Sequence, residues 1–323
     1  MSDPAAPGSV PRERLSVSDL LSIQDLTPDD IQLIFKVAGR IKKAPDDFAL
    51  SLKGKTLAMI FEKPSLRTRV TFDVGMTSMG GQALFLDHSD AKLGERESIR
   101  DVARNLERWV HGIVARTYKN RSVVELAEQA RIPVINGLTD LLHPCQALAD
   151  YFTLAERLPL GSGVRLCFVG DGNNTCHSLI LGAARLGIHL SVASPAGYEP
   201  NSEIVRQAMD TAAATGGTIT IMRNPREAVR EANAVYTDVW ASMGQEAETE
   251  DRAAVFAGYQ VNRQLMELAG SEALFMHCLP AHRGYEVAPQ VIDSPQSVVY
   301  DQAENRLHVQ KALLLLLMAG EAV

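Results

Sequence analysis

Short apolar runs of strand length, each separated from the next by a segment of helical periodicity, limit what this chain can fold into more than any other feature. In the first half they fall at 56–61, 83–86, 112–117 and 132–136. Helical patterns run from Pro28 to about 43, from Ser65 to Gly80-Gly81, and over 95–110 and 122–130. A second set falls at 165–169, near 189–193, 218–222, 234–237, 273–276 and 297–300, again with helices between. Strands alternating with helices pair in parallel and need helices on both faces, so the fold class is α/β, two doubly wound parallel-sheet domains with a shared cleft. A helix from Pro144 to about 158 ends the first half, and Pro159-Leu160-Gly161-Ser162-Gly163 is the break in composition.

A chain of 323 residues, 46% hydrophobic and 22% charged, is long enough for two cores. Its net charge of -7 argues against nucleic acid or an anionic membrane as partner, because phosphate-rich surfaces need clustered Lys and Arg. Any phosphate site must be local. Cys145, Cys167, Cys176 and Cys278 show no CxxC pairing, which favours free thiols in a reducing cytoplasm over disulfides or a metal site. Residues 1–14 lack the apolar core of a signal peptide and read as a loose tail. The apolar run 312–319 is far short of the roughly 20 residues needed to span a bilayer.

In open parallel sheets ligands sit beyond the carboxyl ends of the strands, and the chemistry-bearing residues fall there. Ser65-Leu66-Arg67-Thr68-Arg69 follows the first strand and opens a helix. Ser65 caps it, and two arginines lie beside unpaired backbone N–H groups. This is either a phosphate cradle or a capped helix with two surface arginines. Arg116 ends a buried strand and calls for an anion or a partner carboxylate. In His143-Pro144-Cys145-Gln146 an imidazole at a helix entrance can give a carbonyl a donor, and Gln146 can give an amino group an acceptor; otherwise the pair is a helix cap. Gly170-Asp171-Gly172-Asn173-Asn174 imitates a dinucleotide fingerprint, but its third glycine is Thr175 and the ribose carboxylate is missing. Two asparagines suit a small zwitterion, or simply a turn. Asp238, before Val239-Trp240-Ala241-Ser242-Met243-Gly244, suits a cationic amine or a cap. In His277-Cys278-Leu279-Pro280 the proline should hold Leu279 extended, with its carbonyl free to accept. Arg306, in Glu304-Asn305-Arg306, is expected at the start of the final helix, solvated or functional.

Taken in order, these motifs resemble the ornithine carbamoyltransferases of the aspartate/ornithine transcarbamoylase family from about Ser16 onward. Ser65–Arg69 resembles Ser-Thr-Arg-Thr-Arg, His143–Gln146 His-Pro-x-Gln, Asp238–Gly244 the ornithine loop with Ser-Met-Gly, and His277–Pro280 His-Cys-Leu-Pro. The resemblance implies transfer of the carbamoyl group of carbamoyl phosphate to the side-chain amine of L-ornithine, giving L-citrulline and phosphate, without cofactor or metal, in a cytoplasmic homotrimer or multiple of trimers. It implies a carbamoyl-phosphate domain at 1–145, rejoined by a helix over 304–323, and an ornithine domain at 146–303. Ser65, Leu66, Arg67, Thr68 and Arg116 would hold the phosphate, and His143, Arg116 and Thr68 would face the carbonyl oxygen. Gln146 and the Leu279 carbonyl would take the amino group, assisted by Arg306. Asn174, Asp238, Ser242 and Met243 would hold ornithine, with Cys278 and Asp238 near its reacting amine. Leu66 departs from the usual Thr and is shared with acylornithine transcarbamoylases, so an acylated ornithine, or putrescine, is an alternative acceptor. Lys92 stands where the family has Gln or His; it either reaches a neighbouring subunit's carbamoyl phosphate or is a solvated loop lysine. From other classes, a nicotinamide-dependent oxidoreductase needs the missing fingerprint residues, and a non-catalytic binding homologue sits poorly with a full set of competent residues.

Overall fold

The computed structural model describes residues 14–89, 92–241 and 249–319. The first sheet contains β1 (Thr56–Phe61), β2 (Gln82–Asp87), β3 (Gly112–Arg116) and β4 (Val134–Leu138), in the order β2-β1-β3-β4 and all parallel. Its helices are α1 (Pro28–Lys43), α2 (Leu66–Ser78), α3 (Ile99–Trp109) and α4 (Asn120–Gln129), followed by α5 (Pro144–Ala155). The second sheet, also parallel, has the order β7-β6-β5-β8-β9. It is made of β5 (Arg165–Val169), β6 (His189–Ala193), β7 (Thr218–Met222), β8 (Ala234–Thr237) and β9 (Leu274–His277). Its helices are α6 (Asn174–Leu186), α7 (Ser202–Thr215), α8 (Pro225–Ala228), α9 (Thr249–Phe256), α10 (Arg263–Ala269) and α11 (Pro289–Ile292). The final helix, α12 (Val299–Met318), packs against α1, α2 and α5.

The starts follow local chemistry. Thr27 and Asp30 form a reciprocal capping box ahead of Pro28, and Ser65 accepts the Thr68 N–H at 3.2 Å. β3 and β4 are buried along their whole length, as strands covered on both faces must be. One apolar core runs from Phe35 and Leu57 through Leu148 and Tyr151 to Phe168 and Leu190, so the two sheets share packing across α5 and α6.

Two expectations change. Residues 297–300 are not a strand: Ser297 makes one isolated bridge to Phe275 at the sheet edge, and the chain turns into α12 at Val299. The valines looked strand-like because both are buried at a helix entrance. Accordingly the final helix begins before Glu304, and Arg306 lies in its third turn rather than at its start. The helix expected over 95–110 begins at Ile99, where Ser98 accepts the Asp101 N–H at 3.1 Å.

Candidate active site

Each sheet reverses its strand order once, between β1 and β3 in the first and between β5 and β8 in the second. At such a switch point the connections leave in opposite directions and open a crevice at the strand ends. The Ser65 loop and Arg116 border the first crevice. The Asp171–Asn174 turn and Asp238 border the second, with His143 reached from β4 and Cys278 from β9.

On the first side a cationic cluster surrounds a histidine. Arg116 and Arg306 are buried and Arg67 half-buried, and burial together with the Arg306 and Arg67 charges pushes Arg116 down to about 10. His143, at the entrance of α5, is held well below the ordinary histidine value by burial and then by Arg306, Arg116 and Arg67. Its imidazole is therefore neutral at pH 7. The His143 backbone N–H donates to Ser178 Oγ at 2.8 Å, and the buried ring Nδ1 meets no partner among the described residues. Arg306 donates to Gln146 Oε1 and, at 3.1 Å, to Thr68 Oγ1, which leaves the Thr68 hydroxyl hydrogen available to a ligand. Arg69 turns away and lies 3.7 Å over the Phe85 ring. Lys92 is exposed, with its ammonium 5.1 Å from the Tyr118 ring centre.

On the second side Asp238 is buried. Cys278 Sγ–H donates to its Oδ1 at 2.9 Å, the Val239 N–H to the same oxygen at 2.8 Å, and Asn173 Nδ2 to Oδ2 at 2.8 Å. Burial and the adjacent Asp238 push the Cys278 thiol well up, so it stays protonated as a donor. The Arg67 charge acts on Cys278 in the opposite, lowering sense. Asn174 donates to the Thr139 carbonyl at 2.6 Å. Ser242 and Met243 lie outside the described residues.

Leu279 is not extended. Its φ is +57°, the Leu279–Pro280 peptide is cis, and the Leu279 N–H returns to His277 Nδ1 at 2.8 Å. Proline disfavours the right-handed helical region for the residue before it but does not fix the sign of its φ, and the bond to His277 Nδ1 accompanies the conformation found here. Asp238, His277 and Cys278 bring donor atoms within 4.8 Å of one another. Yet His277 Nδ1 is taken by that N–H, and its Nε2 faces Glu286 at 3.3 Å, so the imidazole is a structural brace rather than an open ligand.

Asn173, read in the sequence as suiting a zwitterion, instead orients Asp238 while its Oδ1 caps α6. Two contributors escaped the sequence reading. Arg252, buried on α9, donates to Asp171 at 2.9 Å and to the Trp240 carbonyl at 2.8 Å. Asp150 holds Gln146 at 2.9 Å; only its i, i+4 spacing from Gln146 pointed there. Gly172 has a packing role, since a Cβ there would overlap the Pro200 backbone.

A two-sheet α/β fold that sets a cluster of arginines near a carboxylate–thiol pair suits an enzyme that passes a group from an anionic donor to an amine. Family profiles sharpen this: "Aspartate/ornithine carbamoyltransferase, carbamoyl-P binding domain" matches residues 18–156, and the corresponding "Asp/Orn binding domain" matches 162–317. The chain belongs to the aspartate/ornithine carbamoyltransferase family, and it is a carbamoyl-transferring enzyme. It is 56% identical over 304 residues to the ornithine carbamoyltransferase of Methanothermobacter thermautotrophicus, covering 94% of this chain and 98% of the relative. It is 52% identical over 305 residues to that of Pyrococcus horikoshii, covering 94% and 96%. The solved ornithine carbamoyltransferase of Pyrococcus furiosus superposes with a TM-score of 0.90 at 51% identity, covering 94% of this chain and 97% of that one.

Proposed function

We propose that this enzyme transfers the carbamoyl group of carbamoyl phosphate to the side-chain amine of L-ornithine, as the names of its relatives state for them. The observation that carries the reading is the neutral, buried His143 set among Arg67, Arg116 and Arg306. A dianionic phosphate and a developing oxyanion need several fixed cations and a donor that does not surrender its proton. In this reading Ser65, the Leu66 N–H, Arg67, Thr68 and Arg116 bind phosphate oxygens. His143 and Thr68 donate to the carbonyl oxygen, and Gln146 and the Leu279 carbonyl accept from the amino group. Asn174, Asp238, Ser242 and Met243 hold ornithine, which requires the Asn174 amide to leave Thr139. The neutral amine attacks the carbonyl carbon, the C–N bond forms, the C–O bond to phosphate breaks with its electron pair going to the phosphate oxygen, and the proton lost by the amine ends on the departing phosphate.

The domain division we draw keeps α5 whole: 1–145 against 146–303 would cut that helix, whereas residues 159–163 lie beyond its end. The assembly we infer is a homotrimer. Leu66, Val70 and Val74 repeat every fourth residue along α2, 74%, 47% and 44% exposed, beside the equally bare Leu84 of edge strand β2. An apolar stripe touching Arg67 suits a second copy, and Lys92 would then reach its carbamoyl phosphate. A cytoplasmic, arginine-producing role fits this chemistry and the "anabolic" name of the Pyrococcus furiosus relative.

The test is product formation from carbamoyl phosphate with ornithine, acetylornithine, succinylornithine, putrescine and aspartate in parallel, following phosphate release and citrulline. Preference for ornithine, abolished in Arg67→Ala, is expected. Turnover with another acceptor alone would overturn the reading of Asp238 while leaving the phosphate site standing.

A further inference from the structure

One helical turn beyond Gln146 on α5, Asp150 is wholly buried, and every group that faces it is a donor. Its Oδ1 accepts from Gln146 Nε2 at 2.9 Å and from Gln302 Nε2 at 2.8 Å, and its Oδ2 accepts from the Tyr236 hydroxyl at 3.0 Å. Burial pushes this carboxyl up to about 6, against the three hydrogen bonds and the Arg306 charge, which leaves it ionised at neutral pH. An ionised carboxylate only accepts, and a side-chain amide has one accepting and one donating end. The Gln146 NH2 must therefore face Asp150, and its oxygen must face the other way, where Arg306 donates to it. Gln302 is fixed in the same manner: its NH2 goes to Asp150 and its Oε1 accepts the His277 N–H at 3.0 Å. Tyr236 stands two residues before Asp238, and His277 one before Cys278.

We propose that Asp150 is a positioning residue for carbamoyl transfer: it sets the orientation of the Gln146 amide so that an oxygen, not an NH2, meets Arg306 and the carbamoyl amino group. Through Gln302 and Tyr236 it ties that orientation to β9 and β8, which carry Cys278 and Asp238. The proposal rests on the role given to Gln146 above. An asparagine at 150 offers one accepting oxygen where there were two, so its amide either keeps the oxygen toward Gln146 and Gln302 and makes the Tyr236 hydroxyl turn to accept, or gives the oxygen to Tyr236 and an NH2 to both glutamines. In the second arrangement the amide of Gln146 turns and presents NH2 to Arg306 and to the carbamoyl amino group, both donors.

Asp150→Asn keeps the shape and changes only this preference. Its kcat/KM for carbamoyl phosphate is expected to fall about 10- to 100-fold, the range for leaving one buried hydrogen-bonding group misplaced, while KM for ornithine moves much less. The decisive variant moves the carboxylate by one helical turn, from 150 to 146. In Gln146→Glu/Asp150→Asn the Asn NH2 can donate to one Glu oxygen while the other faces Arg306, so the double variant should exceed Gln146→Glu alone by about tenfold or more. That comparison stands even where Asp150→Asn alone does not fold; what a merely structural Asp150 would not produce is the split in the single variant, a fall in kcat/KM for carbamoyl phosphate beside a nearly unmoved KM for ornithine. Double and single variants of equal kcat/KM, or a folded Asp150→Asn with wild-type kcat/KM, would overturn the proposal. Gln146→Ala separates the two levels. Impairment there beside an unimpaired Asp150→Asn removes only the role of Asp150, and no impairment in Gln146→Ala removes the role of Gln146 that it depends on.

Discussion

His143 shows how one residue's surroundings choose its chemistry. An exposed imidazole is half-protonated near pH 6.5, but here burial and three guanidiniums remove the charged form, so the ring is a neutral donor. The same shift acts on stability. His143 and the buried His177 both have folded values below 6.5, so as pH falls through 6.5 the unfolded chain takes up protons that the folded chain refuses. Their stabilising contribution is complete above that pH and is lost below it. Asp150 acts in the opposite sense: raised to about 6, it binds a proton in the folded state before the unfolded chain does near 3.8, and offsets part of the loss between those values. Thermal unfolding midpoints should therefore fall from pH 7.5 to pH 5.5, and His143→Gln should flatten the dependence by about 1 kcal/mol per pH unit. An unchanged slope in that variant would mean His143 is not held neutral. Arg306 carries a separate prediction. Its planar fork reaches Gln146 and Thr68 at once, which a lysine ammonium on a thinner stem does not reproduce, so Arg306→Lys should lower kcat/KM for carbamoyl phosphate by about 10- to 100-fold in steady-state assays.

At the scale of the element, α5 and α6 decide how the halves meet. They touch where Tyr151 lies over Gly182, and a Cβ at Gly182 would enter the tyrosine ring. Gly182→Ala should destabilise by about 1–3 kcal/mol, read as a lower denaturation midpoint, because two packed helices must separate to admit one methyl. A neutral result would mean Tyr151 has room to move. The same helix explains what the sequence could and could not disclose. Strands such as β3 and β5 stand out because their residues are apolar on both faces, and His143-Pro144 marks the α5 entrance openly. Helical periodicity, however, assumes one wet face, and every residue from Pro144 to Leu154 is buried. A charged residue in such a helix is read as solvent-facing when it is in fact enclosed, and Asp150 was hidden that way. The conformation of Leu279 was hidden differently, since its N–H returns to His277 Nδ1, a contact that no sequence pattern announces. Arg252 sits in no motif, and only the folded chain brings it to Asp171.

For the molecule as a whole, the open question of assembly reduces to where Lys92 does its work. Within the chain it hovers over Tyr118, exposed, while the α2 stripe beside Arg67 lacks a covering layer among the described residues. If a ring of three copies covers that stripe, each site combines Arg67 of one subunit with Lys92 of the next, a head-to-tail arrangement that closes by symmetry. Val74→Glu places a charge in the stripe without touching the phosphate loop, and sedimentation should show smaller species with weaker carbamoyl-phosphate binding. Mixing tests the sharing directly. Arg67→Ala and Lys92→Gln subunits, each nearly inactive alone, are dissociated and reassociated together. In a shared-site trimer about a quarter of the sites then pair an intact Arg67 with an intact Lys92, so about a quarter of wild-type activity should return. In a self-contained site every subunit keeps its own defect, and mixing returns nothing. Recovery in the mixture would place the lysine across the interface, whereas an active Lys92→Gln protein would make it a surface residue whatever the subunit count.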